Sequence, residues 1–278
     1  MTRYAVVGFD GSGASVAAVR WAAAEAVTRE LALRIVTVVP AVPLGTASVP
    51  SGKRRHVTEI TLDGVVRDHP GLDVVTREIP GEPAQVLNEI GHGAEVLVLG
   101  TRGAGGFAGL RVGAVALGVA SGAPCSVVLV PVPVLAAARV PEVVVGVDAR
   151  NPDGKALGAA FDAARLREVR LRAMHAWHLP PAYEDALLTA VEEDRAEWED
   201  AEALLLDDAL RGWREKYPGV AVLPDVRLLG PADALVRASA DAGLLVVGRG
   251  PRHSSGLGSV AHAVAHHSAC PLLLAPRH

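Results

Sequence analysis

Gly100, Gly103, Gly105, Gly106, Gly109 and Gly113 place six glycines within fourteen residues, directly after the apolar run Val96–Leu99. Glycine loses more conformational freedom on folding than any other residue, so this density implies that the backbone itself must approach something closely. A bare backbone offers N–H donors, and the chemistry they perform is the cradling of an anion. Gly113 precedes a helical pattern, whose first amides lack helical acceptors and whose dipole favours negative charge. Loop and helix start together could hold a polyphosphate without any lysine.

Other chemistry is poorly represented. No G-x-x-x-x-G-K-[ST] loop occurs, since Gly52-Lys53 is followed by Arg54 and lacks its upstream glycine. Gly103 to Ala108 fits G-x-G-x-x-G/A, but that dinucleotide fingerprint belongs after a first strand and opens directly into a helix. Here it follows a fourth strand, and the next helical pattern begins later, near Val112. There is no H-E-x-x-H, C-x-x-C or G-x-S-x-G. His262 and His266 stand four apart on one helix face without an evident third metal ligand, so a packed or solvated face is the better reading. Cys125 and Cys270 each precede a terminal apolar strand and read as buried, inert thiols. Trp21, Trp177, Trp198 and Trp213 read as packing residues. Asp10 has the strongest case among the charged side chains, because it closes an apolar strand; the competing reading is a cap for the helix after "DGSGAS".

The elements that must position these residues emerge from an internal repeat. "YAVVGFD" (Tyr4 to Asp10) returns as "EVVVGVD" (Glu142 to Asp148), and "LRIVTVV" (Leu33 to Val39) as "LRAMHAW" (Leu171 to Trp177), both 138 residues on. "PAQVLNEIGHGAEVLVLG" (Pro83 to Gly100) matches Pro231 to Gly248 at 148, and Gly113 to Pro131 matches Gly258 to Pro276 at 145. One unit is written twice, joined near Val132 to Pro141, and the second glycine loop is three residues shorter than the first. In the first copy, apolar strand patterns at Tyr4–Gly8, Leu33–Val39, Val74–Glu78, Val96–Leu99 and Ser126–Val130 alternate with helical patterns at Ser15–Leu31, His56–His69, Pro83–Ile90 and Val112–Ser121. Such alternation gives βαβ units and doubly wound α/β domains with parallel sheets, here expected over 1–137 and 138–278. Glu184–Tyr217 is an acidic helical stretch, one helix or two, whose charges read as a solvated face.

Composition bounds the class. Half the residues are hydrophobic but only 4% aromatic, so Val, Leu and Ala build the interior. No run approaches the ~20 apolar residues that cross a bilayer, the N-terminus does not read as a signal peptide, and the two cysteines suit a reducing compartment. A cytoplasmic location is expected, with no membrane partner. The net charge of -4 argues against a general nucleic-acid binder.

Gly100-x2-Gly103-x9-Gly113-Ala114 resembles the G-x2-G-x9-G-[ST] loop of the universal stress protein family. The likeness includes an Asp closing the first strand (Asp10, Asp148), a small or apolar residue near the end of the second (Val38, Ala176) and the "APCSVVLVP" ending, and it covers both copies. The resemblance implies a tandem of two Rossmann-like domains, each with a five-stranded parallel sheet of order 3-2-1-4-5, with Asp10 and Gly100 at the switch point. It implies ATP, with or without Mg, bound rather than turned over beyond a very slow hydrolysis. Asp10 and Val38 would lie near the adenine end, Gly100, Arg102 and Gly103 along ribose and phosphates, and Gly113, Ala114 and Val115 at the phosphates. The second set would be Asp148, Ala176, Gly248, Gly258, Ser259 and Val260.

Both copies depart from the pattern. Ala114 lacks the family's hydroxyl, a hydrogen bond of roughly 0.5–1.5 kcal/mol. In the second loop Ser259 restores it, but Pro251 replaces the second glycine, while Arg249, Arg252 and His253 could attract phosphate. The first site is therefore expected to bind more tightly. Each loop also reads as a structural turn, and the alternative function is an interaction protein that binds no nucleotide. An ATP-pyrophosphatase-like enzyme fits worse, because "DGSGAS" and "DARNPDG" hold their acid and small residues in the wrong order. Each copy ends in an apolar edge strand, and pairing the two edges would join the copies as an intramolecular pseudo-dimer, with a further homodimer left open.

Overall fold

The computed structural model describes residues 3–40, 52–103, 111–132, 142–178, 188–250 and 256–276. The first copy supplies β1 (Tyr4–Gly8), α1 (Gly13–Thr28), β2 (Ala32–Val39), α2 (Gly52–Asp68), β3 (Val74–Pro80), α3 (Pro83–Gly91), β4 (Val96–Gly100), α4 (Ala114–Gly122) and β5 (Ser126–Val130). The second supplies β6 (Glu142–Gly146), α5 (Gly154–Arg167), β7 (Arg170–Trp177), α6 (Leu188–Lys216), β8 (Val222–Leu228), α7 (Pro231–Ala238), β9 (Leu244–Gly248), α8 (Ser259–His267) and β10 (Leu272–Ala275). The join at 133–141 lies outside the described residues.

Local chemistry explains where the boundaries differ from the sequence patterns. α1 starts two residues early because Ser12 caps it, its Oγ accepting from Ser15 N–H at 3.2 Å, and it ends before Glu30, which takes a left-handed φ of 55°. α4 starts at Ala114 rather than Val112, since Val112 is buried and Gly113 sits in extended backbone as the cap. α6 is one continuous helix over its described span; 184–187 lie outside the described residues.

The strands form one sheet in the order β3-β2-β1-β4-β5-β10-β9-β6-β7-β8. Each copy thus has the 3-2-1-4-5 order of a doubly wound domain, with every pairing inside a copy parallel. The copies meet at β5 and β10, which pair antiparallel with Val128 opposite Leu273. The central strands are apolar on both faces because helices cover both. Alanines of α1 and α5 (Ala18, Ala22, Ala160, Ala164) pack on one face with Leu206 and Leu210 of α6. Leu87, Val119, Leu235 and Val264 of α3, α4, α7 and α8 pack on the other. Small residues on α1 and α5 let those helices lie close to the sheet. A buried ion pair also crosses the seam: Glu25 of α1 accepts from Arg29 and from Arg167 of α5. Burial lowers the Arg167 pKa against the opposing pull of Glu25.

Candidate functional site

The strand order reverses between β1 and β4, and that reversal opens a crevice at their carboxyl ends, where open α/β sheets take ligands. A cavity of about 430 Å3 lies there. Asp10, Val38, Gly100, Arg102, Gly103, Gly113, Ala114 and Val115 all line it, and Leu87 and Leu99 add apolar wall. Four separate segments converge: the ends of β1 and β2, the start of the glycine loop, and the first turn of α4.

The glycines here are not equivalent. A Cβ on Gly100 would fall 2.6 Å from the backbone carbon of Ala14, so Gly100 is demanded by the passage of α1 across the end of β4. A Cβ on Gly103 would fall 2.7 Å from Asp10 Oδ2. Asp10 is not the helix cap, which is Ser12; it accepts from Ser12 N–H at 2.9 Å, and its carboxylate reaches the bare backbone of Gly103. Gly113 is different. Its φ of -79° suits any residue, and nothing crowds a Cβ there closer than 3.9 Å. It caps α4 without a side-chain hydrogen bond, although Ser, Thr, Asp or Asn would cap better. Packing and backbone strain leave that missing side chain unexplained, and it lies on the cavity wall. The loop closes on itself through Gly113 N–H to Thr101 O at 2.8 Å. Residues 104–110 lie outside the described residues.

The second copy has the same crevice, enlarged. Its cavity, about 800 Å3, is lined by Asp148, Ala176, Gly248, Gly250 and Val260 among others. Gly258 and exposed Ser259 are not among its lining residues, although Gly258 caps α8 as Gly113 caps α4. The loop closes through Gly258 N–H to Arg249 O at 2.8 Å, the counterpart of the first loop's bond, so the three-residue deletion falls within the span this bond closes. A left-handed turn at Gly250, φ 91°, brings the strand end round to Gly258. Pro251, Arg252 and His253 lie outside the described residues.

Arg249 is a correction to the sequence reading. Its guanidinium does not face a phosphate position; it is 1% exposed and donates to the carbonyls of Ala123 and Cys125 in the first copy, with Leu274 O at 3.5 Å. The charged helix α6 also departs from a wholly solvated face. Exposed pairs such as Arg195–Glu199 conform, but Glu202 turns inward and is 7% exposed. It meets His175 Nε2 at 3.0 Å and accepts from both Arg150 nitrogens, Nη1 at 2.7 Å. Burial alone would raise the Glu202 pKa, but the hydrogen bonds and charges of Arg150 and His175 hold it below the ordinary carboxylate value. His175 Nδ1 lies 3.0 Å from Val147 O. These three side chains wall the second cavity and were missed from sequence; only the odd His within an apolar strand could have signalled them. Trp177 is buried and also lines this cavity, with its indole N–H lacking an acceptor among the described residues. Trp213 does pack, stacked on Phe161 at 5.8 Å.

Cys125 and Cys270 are buried, and burial raises both thiols, Cys270 to about 11. The His262 and His266 rings lie 4.8 Å apart and tilted at 51°; burial, then His262 and His267, press the His266 pKa below the ordinary histidine value. No cluster of three metal-ligating side chains occurs among the described residues, and no helix there is long and apolar enough to cross a membrane.

Known proteins share this architecture. The model of the universal stress protein family matches residues 1–131 and again 141–276. The chain is 34% identical over 299 residues to a universal stress protein of Mycobacterium tuberculosis H37Rv, covering 97% of this chain and 94% of that protein. A solved universal stress protein from Archaeoglobus fulgidus superposes with a TM-score of 0.67 at 17% identity, covering 99% of this chain and 97% of that one. Another universal stress protein, solved in complex with cAMP, is 27% identical over 45% of this chain and 93% of its own, with a TM-score of 0.35.

Proposed function

The chain belongs to the universal stress protein family, and from that membership we propose that it is an adenine-nucleotide-binding stress or signalling protein whose principal site is the 430 Å3 cavity of the first copy. Units 1–137 and 138–278 act as two domains joined in an intramolecular pseudo-dimer. The observation that carries the reading is Gly113, a helix cap stripped of its side chain for no reason of packing or φ, on the wall of a cavity at the switch point. Its amide is closed onto Thr101, while Ala114, Val115 and Ala116 of the first turn of α4, whose amides lack helical acceptors, line the cavity as candidate anion donors. Val38, Leu87 and Leu99 offer an apolar seat for a base, and Asp10 a carboxylate for its polar edge or the ribose. ATP fits this donor set, and magnesium would arrive on its phosphates. Ligand binding, rather than turnover, would be the activity.

Gly113→Asp tests the site cleanly. The new side chain has room and improves the cap, so the fold should keep or gain stability. Its charge beside the phosphates should lower ATP affinity on the order of 1–3 kcal/mol, roughly five- to 150-fold. Calorimetry with ATP, together with mass spectrometry of nucleotide released by denaturing the purified protein, reads the result. Undiminished ATP affinity in the folded variant would place the site elsewhere, and absence of any adenine nucleotide binding would leave the interaction-protein reading.

A further inference from the structure

The repeat makes Arg249 the counterpart of Thr101, one residue beyond the glycine that ends the fourth strand of each copy. The loop-closing bonds Gly113 N–H to Thr101 O and Gly258 N–H to Arg249 O mark the same equivalence in space. Yet the two sides of the β5–β10 seam differ. On one side Arg249 fills the space between its own loop and the first copy's α4–β5 junction, taking the carbonyls of Ala123 and Cys125. On the other side Thr101 is too short to reach. The counterpart carbonyl, Cys270 O, is satisfied instead by the hydroxyl of Ser268 at 2.8 Å. What remains is a cleft of about 760 Å3 between the first glycine loop and the end of α8.

Four nitrogen-bearing side chains line that cleft: Arg102 and Arg111 from the first copy, His266 and His267 from the second. No carboxylate lines it among the described residues. The first turn of α1 borders it too, contributing amides at the positive end of a helix dipole. Ser12, Thr101, Arg102 and Gly103 line both this cleft and the 430 Å3 cavity, so the two spaces share a wall. We propose that the cleft is a phosphoanion subsite built by both halves, in which cations from the first copy and histidines from the second close on phosphate groups. The occupant is either the phosphate tail of a nucleotide in the adjoining cavity, which rests on the nucleotide reading above, or a free phosphoanion. In both cases the first half's ligand is read by the second half, whereas beside the second half's own loop the buried Arg249 side chain takes the corresponding position.

The test compares the full chain with an Arg111→Gln, His267→Gln double variant, both positions exposed so that folding is spared. Each is titrated calorimetrically with AMP, ATP and inorganic tripolyphosphate. If the nucleotide tail is the occupant, the variant loses roughly tenfold or more in ATP affinity, as for lost charge-assisted bonds, while AMP binding is unchanged. If a free anion is the occupant, tripolyphosphate binding falls and ATP binding does not. Equal binding of all ligands by both proteins overturns the subsite, as does a native chain that takes neither tripolyphosphate nor ATP. A native chain that binds tripolyphosphate but neither nucleotide refutes the nucleotide reading, and the subsite then stands or falls on whether the variant loses that binding.

Discussion

Gly100 and Gly113 look alike in a motif and differ in what they do. At Gly100 the backbone of α1 occupies the place of a Cβ, so Gly100→Ala should destabilise the chain by about 1–3 kcal/mol, the usual cost of overpacking. Gly113→Ser, with open space and a better cap, should leave stability unchanged or slightly raised. Urea unfolding of the pair separates the glycine that packing demands from the one that packing does not, and similar losses in both would void the distinction. Glu202 carries a second prediction. Its folded pKa is depressed, so its contribution is present above the ordinary carboxylate value of 4.5 and is lost as pH falls through the folded one. Glu202→Gln should therefore cost about 1–3 kcal/mol at pH 7 by leaving Arg150 and His175 poorly matched. That deficit should shrink in acid; a difference that is constant from pH 7 to pH 3 would contradict the pairing.

At the scale of elements, each glycine loop is a variable span closed by the same backbone clamp. Both clamps survive the three-residue deletion, and α8 is capped by a glycine as α4 is. A matched pair of Asp substitutions is not symmetrical, however, since a Cβ on Gly258 would meet Gly250 Cα at 3.3 Å. Gly258→Asp should disturb its loop as well as its charge, and circular dichroism melting alongside calorimetry distinguishes the two effects. The strands were legible because a strand buried on both faces leaves an unbroken apolar run, and because the repeat wrote each run twice; their order came only with the family resemblance. The three charged devices were not legible. Glu25 pairs with Arg167 across 142 residues, His175 with Glu202 across 27, and Arg249 with Ala123 across 126. A charged residue reads as exposed until its partner is known, and nothing local announces a partner that far along the chain. Ser12, by contrast, lay within reach of the "DGSGAS" pattern, and the cap lies two residues beyond Asp10, for which capping was the competing reading.

For the whole molecule, one sheet crosses both copies, and the β5–β10 pairing turns two unpaired edges into its centre. Residues 1–137 produced alone should expose the apolar edge of β5, with Val127, Val128 and Leu129, and should dimerise or aggregate through it, whereas the full chain has that edge covered. Light scattering of the half-chain checks this, and a stable monomer would count against it. Arg249→Met should cost roughly 2–5 kcal/mol by stranding buried carbonyls of the opposite copy. Guanidine unfolding measures that loss, and an unaltered midpoint would mean that the cation contributes nothing across the seam. The seam has a consequence for inheritance. In a symmetric dimer of identical chains every contact occurs twice, so a mutation that plugs one side plugs the other. Here the two sides are encoded separately, and a single change at residue 249 could seal one while residue 101 kept its mate open. Writing both copies into one chain is what allows a lineage to retire one doorway and specialise the other.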